Sequence, residues 1–473
     1  MDIRPTLAGL LFLASCGHRV AEPTETLPLE IPRAFAQDHA PAAGALADSW
    51  WQDFDSPELA SLLAGVEEAN PDLQIAQASY RQTEALAAAA GGARWPSLSA
   101  GLQASRSRQN LIGLPIPGAG EVLPIRATSF GLSADLSWEV DLWGRIDAAV
   151  AAADADALAA QAELQAAQLS LRGQAVQLWL GRTEALSQLA LVEELRALAE
   201  QRLQHLEARF ERGTTSASEV LRARQAVTTW QANAKQLRLQ VSAQQRALQS
   251  LRGQYPDGAW PESATVTLPE LPPAPPVGMP AELLGRRPDL AAAEARYYAA
   301  TARAREARAS LYPRLALTTS VGTNSSAIGD LLDGDFRVWS LAGGLTAPLF
   351  QGGQLRAQVD AREAGVDAAA WSFARDFLRA LSEVETALET EQSLRAQLSD
   401  LQLNEARSQR QAELAERRFR SGTGSLLNWI DARSAALETR SATLTTHRLL
   451  LQNRTDLYLA LGGGFDSQPT DAR

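Results

Sequence analysis

The chain states one structural unit twice. Ala93-Arg94-Trp95-Pro96-Ser97-Leu98 is answered by Ser310-Leu311-Tyr312-Pro313-Arg314-Leu315, an offset of 217 residues (313 less 96). Asn70-Pro71-Asp72-Leu73 is answered by Arg287-Pro288-Asp289-Leu290 at the same offset, and Tyr80 by Tyr297. Further along, Arg209-Phe210-Glu211-Arg212-Gly213-Thr214 is answered by Arg418-Phe419-Arg420-Ser421-Gly422-Thr423 at an offset of 209 (422 less 213). Both ends of the unit stay in register while the offset drops by eight (217 less 209) between Pro96 and Phe210, so one fold unit is duplicated around a single connection of different length. The period lies far beyond the roughly 20 to 50 residues of a solenoid, yet it still makes each half an incomplete unit that needs the other.

Each unit sets a pair of strands between helical stretches. From Ser129 to Leu142, Phe130, Leu132, Ala134, Leu136, Trp138, Val140 and Leu142 alternate with Ser, Gly, Asp and Glu, which predicts a strand with one apolar and one polar face. Leu98, Ala100, Leu102 and Ala104 alternate in the same way before it, and Leu315 to Val321 and Trp339 to Leu349 repeat the pattern more weakly. Gly- and Pro-rich loops are expected at Gly113 to Pro124 and at Gly322 to Gly334. Four amphipathic strands of about 9–11 residues or slightly more have the length a tilted strand needs to cross a bilayer. Four strands do not close a barrel, and in lipid an open sheet edge leaves backbone groups unpaired, so the hairpins must be donated to a barrel shared by several copies. The residues alone leave two or three copies open.

The flanking stretches are long helices. No proline occurs from Arg145 to Phe210, Leu164, Leu171 and Leu178 recur every seven residues, and Leu191, Leu195 and Leu198 continue the spacing. A partner from about Ser216 to Leu251 turns back at Gly213-Thr214, and Gln354 to Phe419 with Ser425 to Leu461 repeats the arrangement around Gly422-Thr423-Gly424. Near-heptad apolar spacing with Glu, Arg and Gln between predicts antiparallel coiled-coil hairpins. Pro71-Asp72 and Pro288-Asp289 read as helix starts, and Gly144 and Gly352-Gly353 as the points where strand becomes helix.

The net charge of −11 and the lack of a basic patch with interleaved aromatics disfavour nucleic acid, and no apolar run reaches 18 residues. Arg4, the apolar stretch Leu7 to Leu13 and then Leu13-Ala14-Ser15-Cys16 read as a secretory signal of residues 1–15 ending in a sequence that looks like a bacterial lipobox. Cys16, the only cysteine, stands where acylation would use it, and residues 16–45 read as a lipidated linker. His18, His39, His205 and His447 have no metal-ligand spacing, no phosphate-binding glycine loop follows a strand, and the acidic residues of the helices sit among arginines as on a solvated face. No metal, cofactor or catalytic constellation is expected. A pore-less periplasmic coiled-coil adaptor is the alternative from another class, but adaptors have one hairpin in a β-rich scaffold whereas this chain has two hairpins and four strands.

The runs Trp50-Trp51-Gln52-Asp53-Phe54, Ala69-Asn70-Pro71-Asp72-Leu73, Trp138-Glu139-Val140-Asp141-Leu142-Trp143-Gly144-Arg145, Arg286-Arg287-Pro288-Asp289-Leu290 and Pro348-Leu349-Phe350-Gln351-Gly352-Gly353 resemble the outer-membrane efflux proteins, the TolC-like family, in its NodT-type lipoprotein branch. The resemblance implies a mostly α fold with a small β part and internal duplication, its first repeat at 46–270, its second at 271–465 and a tail at 466–473. It also implies a homotrimer with a twelve-stranded barrel in the outer membrane, lipid-anchored and continuous with a periplasmic helical tunnel, and Gly17 in place of aspartate permits sorting there. The implied function is the passive exit duct of a tripartite efflux system, working with a periplasmic adaptor and an inner-membrane pump. By the same resemblance, the tips at Gly213, Thr214, Gly422 and Thr423 receive the adaptor, and Leu427 and Asp431, four apart on one helix face, form the periplasmic gate. The family's gate arginine falls at Ser434 here and Arg433 stands one position early, which makes an arginine of the first half such as Arg224 the candidate latch.

Overall fold

The structure, a computed structural model, describes residues 32, 34–36, 49–112, 122–261 and 267–463. The expected signal peptide, Cys16, most of the 16–45 linker, most of the Gly113–Pro124 loop and the 466–473 tail lie outside the described residues. After a 3-10 turn at Trp50–Phe54, α1 (Pro57–Ala69) and α2 (Pro71–Gly91) lead into β1 (Ser97–Ile112), β2 (Val122–Val140), α3 (Arg145–Glu211) and α4 (Ala217–Leu251). The second unit opens with a short α5 (Leu283–Arg286) and continues with α6 (Pro288–Ala309), β3 (Arg314–Ser325), β4 (Arg337–Thr346), α7 (Gln354–Arg420) and α8 (Leu426–Ala460). The duplication holds helix by helix, with 67 residues in both α3 and α7 and 35 in both α4 and α8. At ~1.5 Å per residue the long helices run about 100 Å.

The change in offset falls within the hairpins. Pro96 lies 48 residues before Gly144, and Pro313 lies 40 before Gly353, the two glycines that cap α3 and α7 in left-handed conformation (φ 72° and 84°). The strands of the first hairpin are longer by thirteen residues (16 and 19 against 12 and 10) and its connections shorter by five, which leaves the net difference of eight. The first hairpin is therefore longer than the alternation suggested, and the expected loops are shorter. β2 already includes Pro124, opposite Asn110, above the point where β3 begins to pair with β2 at Phe130↔Ser325. A proline is tolerated there because that side of the strand is a free edge. Gly322, expected to open a loop, lies inside β3, where a Cβ would stand 2.0 Å from the Leu132 carbonyl oxygen.

The helices of the two units stack end to end at mid-height. Asn70 caps α2 by accepting from the Leu73 N–H (2.9 Å) and donates its amide to the Leu251 carbonyl at the end of α4 (2.8 Å). In the second unit Arg287 holds the Ala460 carbonyl at the end of α8 (3.0 Å) and also grips Asp289 and Glu383. Burial opposes charge on Asp289, but the hydrogen bond and charge of Arg287 outweigh it and hold the carboxyl below its ordinary range. α2 with α4 thus runs beside α3, and α6 with α8 lies between α3 and α7.

The main hydrophobic core wraps this junction. Trp50, Phe54, Leu59, Leu63, Val176, Trp179, Leu248, Leu283, Phe377, Val384 and Leu451 are all buried in it. Trp50 stacks on Tyr458 (5.0 Å), whose hydroxyl donates to Asp53 (2.7 Å), so the start of the first repeat is fastened to the last helix of the second. Glu58 accepts from Trp179, Arg182 and Trp260, and fully buried Arg454 pairs with Glu391 and the Pro272 carbonyl. The Leu171 stripe joins this core, and Leu191, Leu195 and Leu198 form a smaller cluster below it with Ile430 and Leu437. Several acids expected on solvated helix faces instead bridge helices, among them Asp156 with Arg303, Glu163 with Arg296 and Glu363 with Arg308. Among the described residues no helix is long and apolar enough to cross a membrane.

Where helix ends abut, glycine is required. Gly253 (φ 63°) and Gly462 (φ 92°) are paralogous positions, and a Cβ at either would stand 2.4 Å from a backbone oxygen, that of Ala69 or of Arg286. Gly213 (φ 70°) has open space around it. Alanine at Gly213 is therefore expected to cost about 1 kcal/mol, and alanine at Gly253 or Gly462 about 3 kcal/mol because a backbone collision is added. Thermal unfolding of the detergent-solubilised protein measures this, and equal shifts for the three variants would contradict the junction.

Candidate functional site

The sheet has the order β1-β2-β3-β4, antiparallel throughout, and its registers run without a bulge. Side-chain parity is therefore preserved across all four strands. Leu98 faces Leu136, Leu102 faces Leu132, Trp138 faces Leu317, and Val321 faces Trp339, which makes one continuous apolar face. The other face carries Ser99 beside Asp135, Asp135 beside Ser320, and Ser320 beside Ser340. Among the described residues Leu98, Leu102, Leu341, Leu345 and Trp339 (77% exposed) are uncovered, and the outer edges of β1 and β4 have no partner strand. A bare apolar face and a small polar face are what lipid outside and water inside require.

At the inner ends of the strands the aromatics gather. Trp143 donates to the Pro313 carbonyl (2.7 Å) and stacks on Tyr312 (5.1 Å), while Trp138 donates to the Arg94 carbonyl (3.1 Å). Trp95, Leu349 and Phe350 stand exposed at the same rim. Each indole thus tethers the strand-to-helix turn of one strand to the entry of its neighbour, with apolar surface turned outward as in an interfacial belt. Arg145 locks the start of α3 by a two-pronged bond to Glu139 (3.0 Å).

The far ends of the hairpins form the second candidate region. Gly213 and Gly422 take left-handed conformations (φ 70° and 74°), and Thr214 and Thr423 each return both backbone N–H and hydroxyl to one carbonyl, of Arg209 and Arg418 respectively. Ser216 and Ser425 then cap the returning helices. All four expected tip residues, Gly213, Thr214, Gly422 and Thr423, are exposed.

Just beyond the second tip, the two halves lean together. Leu427 is half-buried against Leu203, Leu206, Val220 and Ala223 of the first hairpin. Asp431 is exposed and accepts from Arg202 on α3, while Arg433 donates to Glu194 (2.7 Å), about two turns earlier on α3. Arg224 is not the partner of Asp431: its guanidinium is held by Glu207 (2.8 Å). The first half does supply the arginine, but from 229 positions away on another helix, a pairing that helical spacing does not encode. Arg202 with Asp431 lies at the surface and is worth about 0–1 kcal/mol, a brace that a binding partner can break.

Comparison with known proteins agrees with this geometry. The family model for outer membrane efflux proteins matches twice, over residues 62–254 and 279–463. The chain is 32% identical over 466 residues to the pyoverdine export outer membrane protein OpmQ of Pseudomonas putida, covering 93% of this chain and 94% of that one. It is 31% identical over 407 residues to the outer membrane protein OprJ of Pseudomonas aeruginosa, covering 84% and 80%. The solved outer-membrane channel OprN superposes with a TM-score of 0.83 at 28% identity, covering 93% of this chain and 98% of that one. A doubled helical hairpin carrying a four-stranded amphipathic sheet, matched over nearly its whole described length, belongs to the outer membrane efflux protein family, the outer-membrane channels of efflux pumps.

Proposed function

We propose that three copies of this chain close into one twelve-stranded barrel and helical tunnel, the passive exit duct of a tripartite efflux system. The observation that carries this reading is the sheet with two free edges: β1 and β4 run antiparallel, so β4 of one copy can pair with β1 of the next all the way round. The helices support it as well. Among the described residues α7 packs chiefly on α6 and α8, and α2 and α4 on α3, which leaves Trp371, Leu378 and Leu403 on one flank and Ile75, Leu221 and Leu239 on the other exposed for a neighbouring copy. Energy for transport comes from an inner-membrane pump reached through a periplasmic adaptor. An N-terminal lipid on Cys16 adds a second anchor; Cys16→Ser is expected to abolish palmitate labelling, and label retained on that variant would refute acylation there.

The tips are the adaptor's docking points in this reading, because they are exposed, paired by pseudosymmetry and capped by their own short bonds rather than by a neighbour. Thr214→Trp and Thr423→Trp are expected to abolish export-dependent resistance while the protein still assembles in the outer membrane. Unchanged resistance together with unchanged adaptor cross-linking would place docking elsewhere.

Leu427 and Asp431 hold the tunnel end closed, the leucine by packing on the first hairpin and the aspartate through Arg202. Rings of three carboxylates on a narrow axis favour cations. Leu427→Val combined with Asp431→Ala is expected to sensitise cells to vancomycin, as is Arg202→Ala alone to a smaller degree. Wild-type resistance in the correctly assembled double variant would put the gate at other residues.

A further inference from the structure

On the outward face of the sheet, the apolar rows end in arginine. The β1 row of Leu98, Ala100, Leu102 and Ala104 continues as Arg106 and Arg108; Arg126 on β2 lies directly across from Arg108, and Arg337 on β4 follows two residues above Trp339. The unbroken register from Ser97↔Ser137 to Arg108↔Arg126 puts these side chains on the face of Leu98 and Leu136, not on the polar face. All four are exposed, and none takes part in an ion pair among the described residues. Of the acids in the neighbouring connection, Asp330 accepts from Ser325 and Asp333 from the Asp335 N–H, and Asp335 makes no ion pair with Arg337 among the described residues.

Their height is the informative quantity. Arg106 lies nine residues beyond Ser97, and Arg337 nine before Thr346, the inner ends of the two edge strands. Nine residues span ~30 Å along a strand, or roughly 23 Å across the membrane at a tilt of about 40°, against an apolar band of about 25 Å. The guanidinium groups therefore leave the hydrocarbon at the outer headgroup level, and closing the ring brings Arg337 of one copy beside β1 of the next. Arg108 and Arg126 directly opposite each other repel unless an anion lies between them. Guanidinium groups pair phosphate by parallel hydrogen bonds, and four of them exposed on one face at headgroup height match an anionic phosphate group there.

We propose that Arg106, Arg108, Arg126 and Arg337 form a binding site for the phosphates of the outer leaflet's acylated glycolipid, whose acyl chains lie on Leu102, Leu132 and Val321 below. The site rests on the barrel reading above.

Full-length protein purified in mild detergent is titrated by native mass spectrometry with diphosphorylated hexa-acyl lipid A, with the same lipid stripped of phosphate, and with inorganic phosphate as competitor. Wild type is expected to retain the diphosphorylated lipid at least tenfold more tightly than the dephosphorylated one. R106S/R108S/R126S/R337S is expected to lose roughly fivefold in retention per arginine removed, with trimer assembly and conductance unchanged. Equal retention of the two lipids by wild type overturns the proposal, and this comparison decides the matter even where the quadruple variant fails to assemble. Complete displacement of the lipid by inorganic phosphate also overturns it, by assigning the arginines to soluble anions. A wild-type protein that forms no channel removes the barrel reading itself, and this site falls with it.

Discussion

The structure depends on one unmet obligation: two strand edges that must be paired once the sheet enters lipid. Water satisfies the outer N–H and C=O groups of β1 and β4 in an isolated chain, but hydrocarbon offers no donor or acceptor. The apolar face from Leu98 across to Trp339 demands lipid, and the edges forbid it until another copy arrives. Insertion and assembly are therefore one event. The even number of strands per chain makes the closure antiparallel whatever the number of copies, so the copy number must be set by the curvature of the helices and the seams between them.

Rigidity is distributed unevenly along the tunnel. At mid-height large side chains such as Trp50, Trp179 and Phe377 are buried, and Arg454 and Asn70 spend their hydrogen bonds on the carbonyls of neighbouring segments. Removing one partner of such a buried charged pair costs about 3–5 kcal/mol. Near the tips the contacts thin to the small cluster of Leu206, Val220, Ala223 and Leu427, the Phe419–Trp429 stack and solvent-exposed ion pairs such as Arg202 with Asp431, each pair worth about 1 kcal/mol or less. A duct fixed at its belt and weakly braced at its mouth has its weakest contacts where the gate is proposed.

The helices were legible in the sequence because their ends are written locally. Gly213-Thr214 and Gly422-Thr423 reverse the chain and Ser216 and Ser425 restart it, so the ends of α3, α4, α7 and α8 lie within a residue or so of where the spacing puts them. The sheet was legible in its facing but not in its length. Pro124 and Gly322 punctuate a sequence, yet one sits at a free edge and the other at a close strand crossing, where tertiary pairing overrides the local signal. Of the proposed gate, the share of one helix face by Leu427 and Asp431 could be read, whereas the arginine on Asp431 could not. Glu58 with Trp179, Arg182 and Trp260 was equally invisible, since it joins four positions spread over some two hundred residues.

The central claim is that the chain is one part of a closed pore rather than a bridging scaffold. Reconstitution of the purified wild-type protein in a planar lipid bilayer tests it most directly. Discrete conductance steps of uniform size, cation-selective and arising from an assembly of three copies, are the predicted result; a bilayer that stays silent under folded, membrane-inserted protein would contradict it.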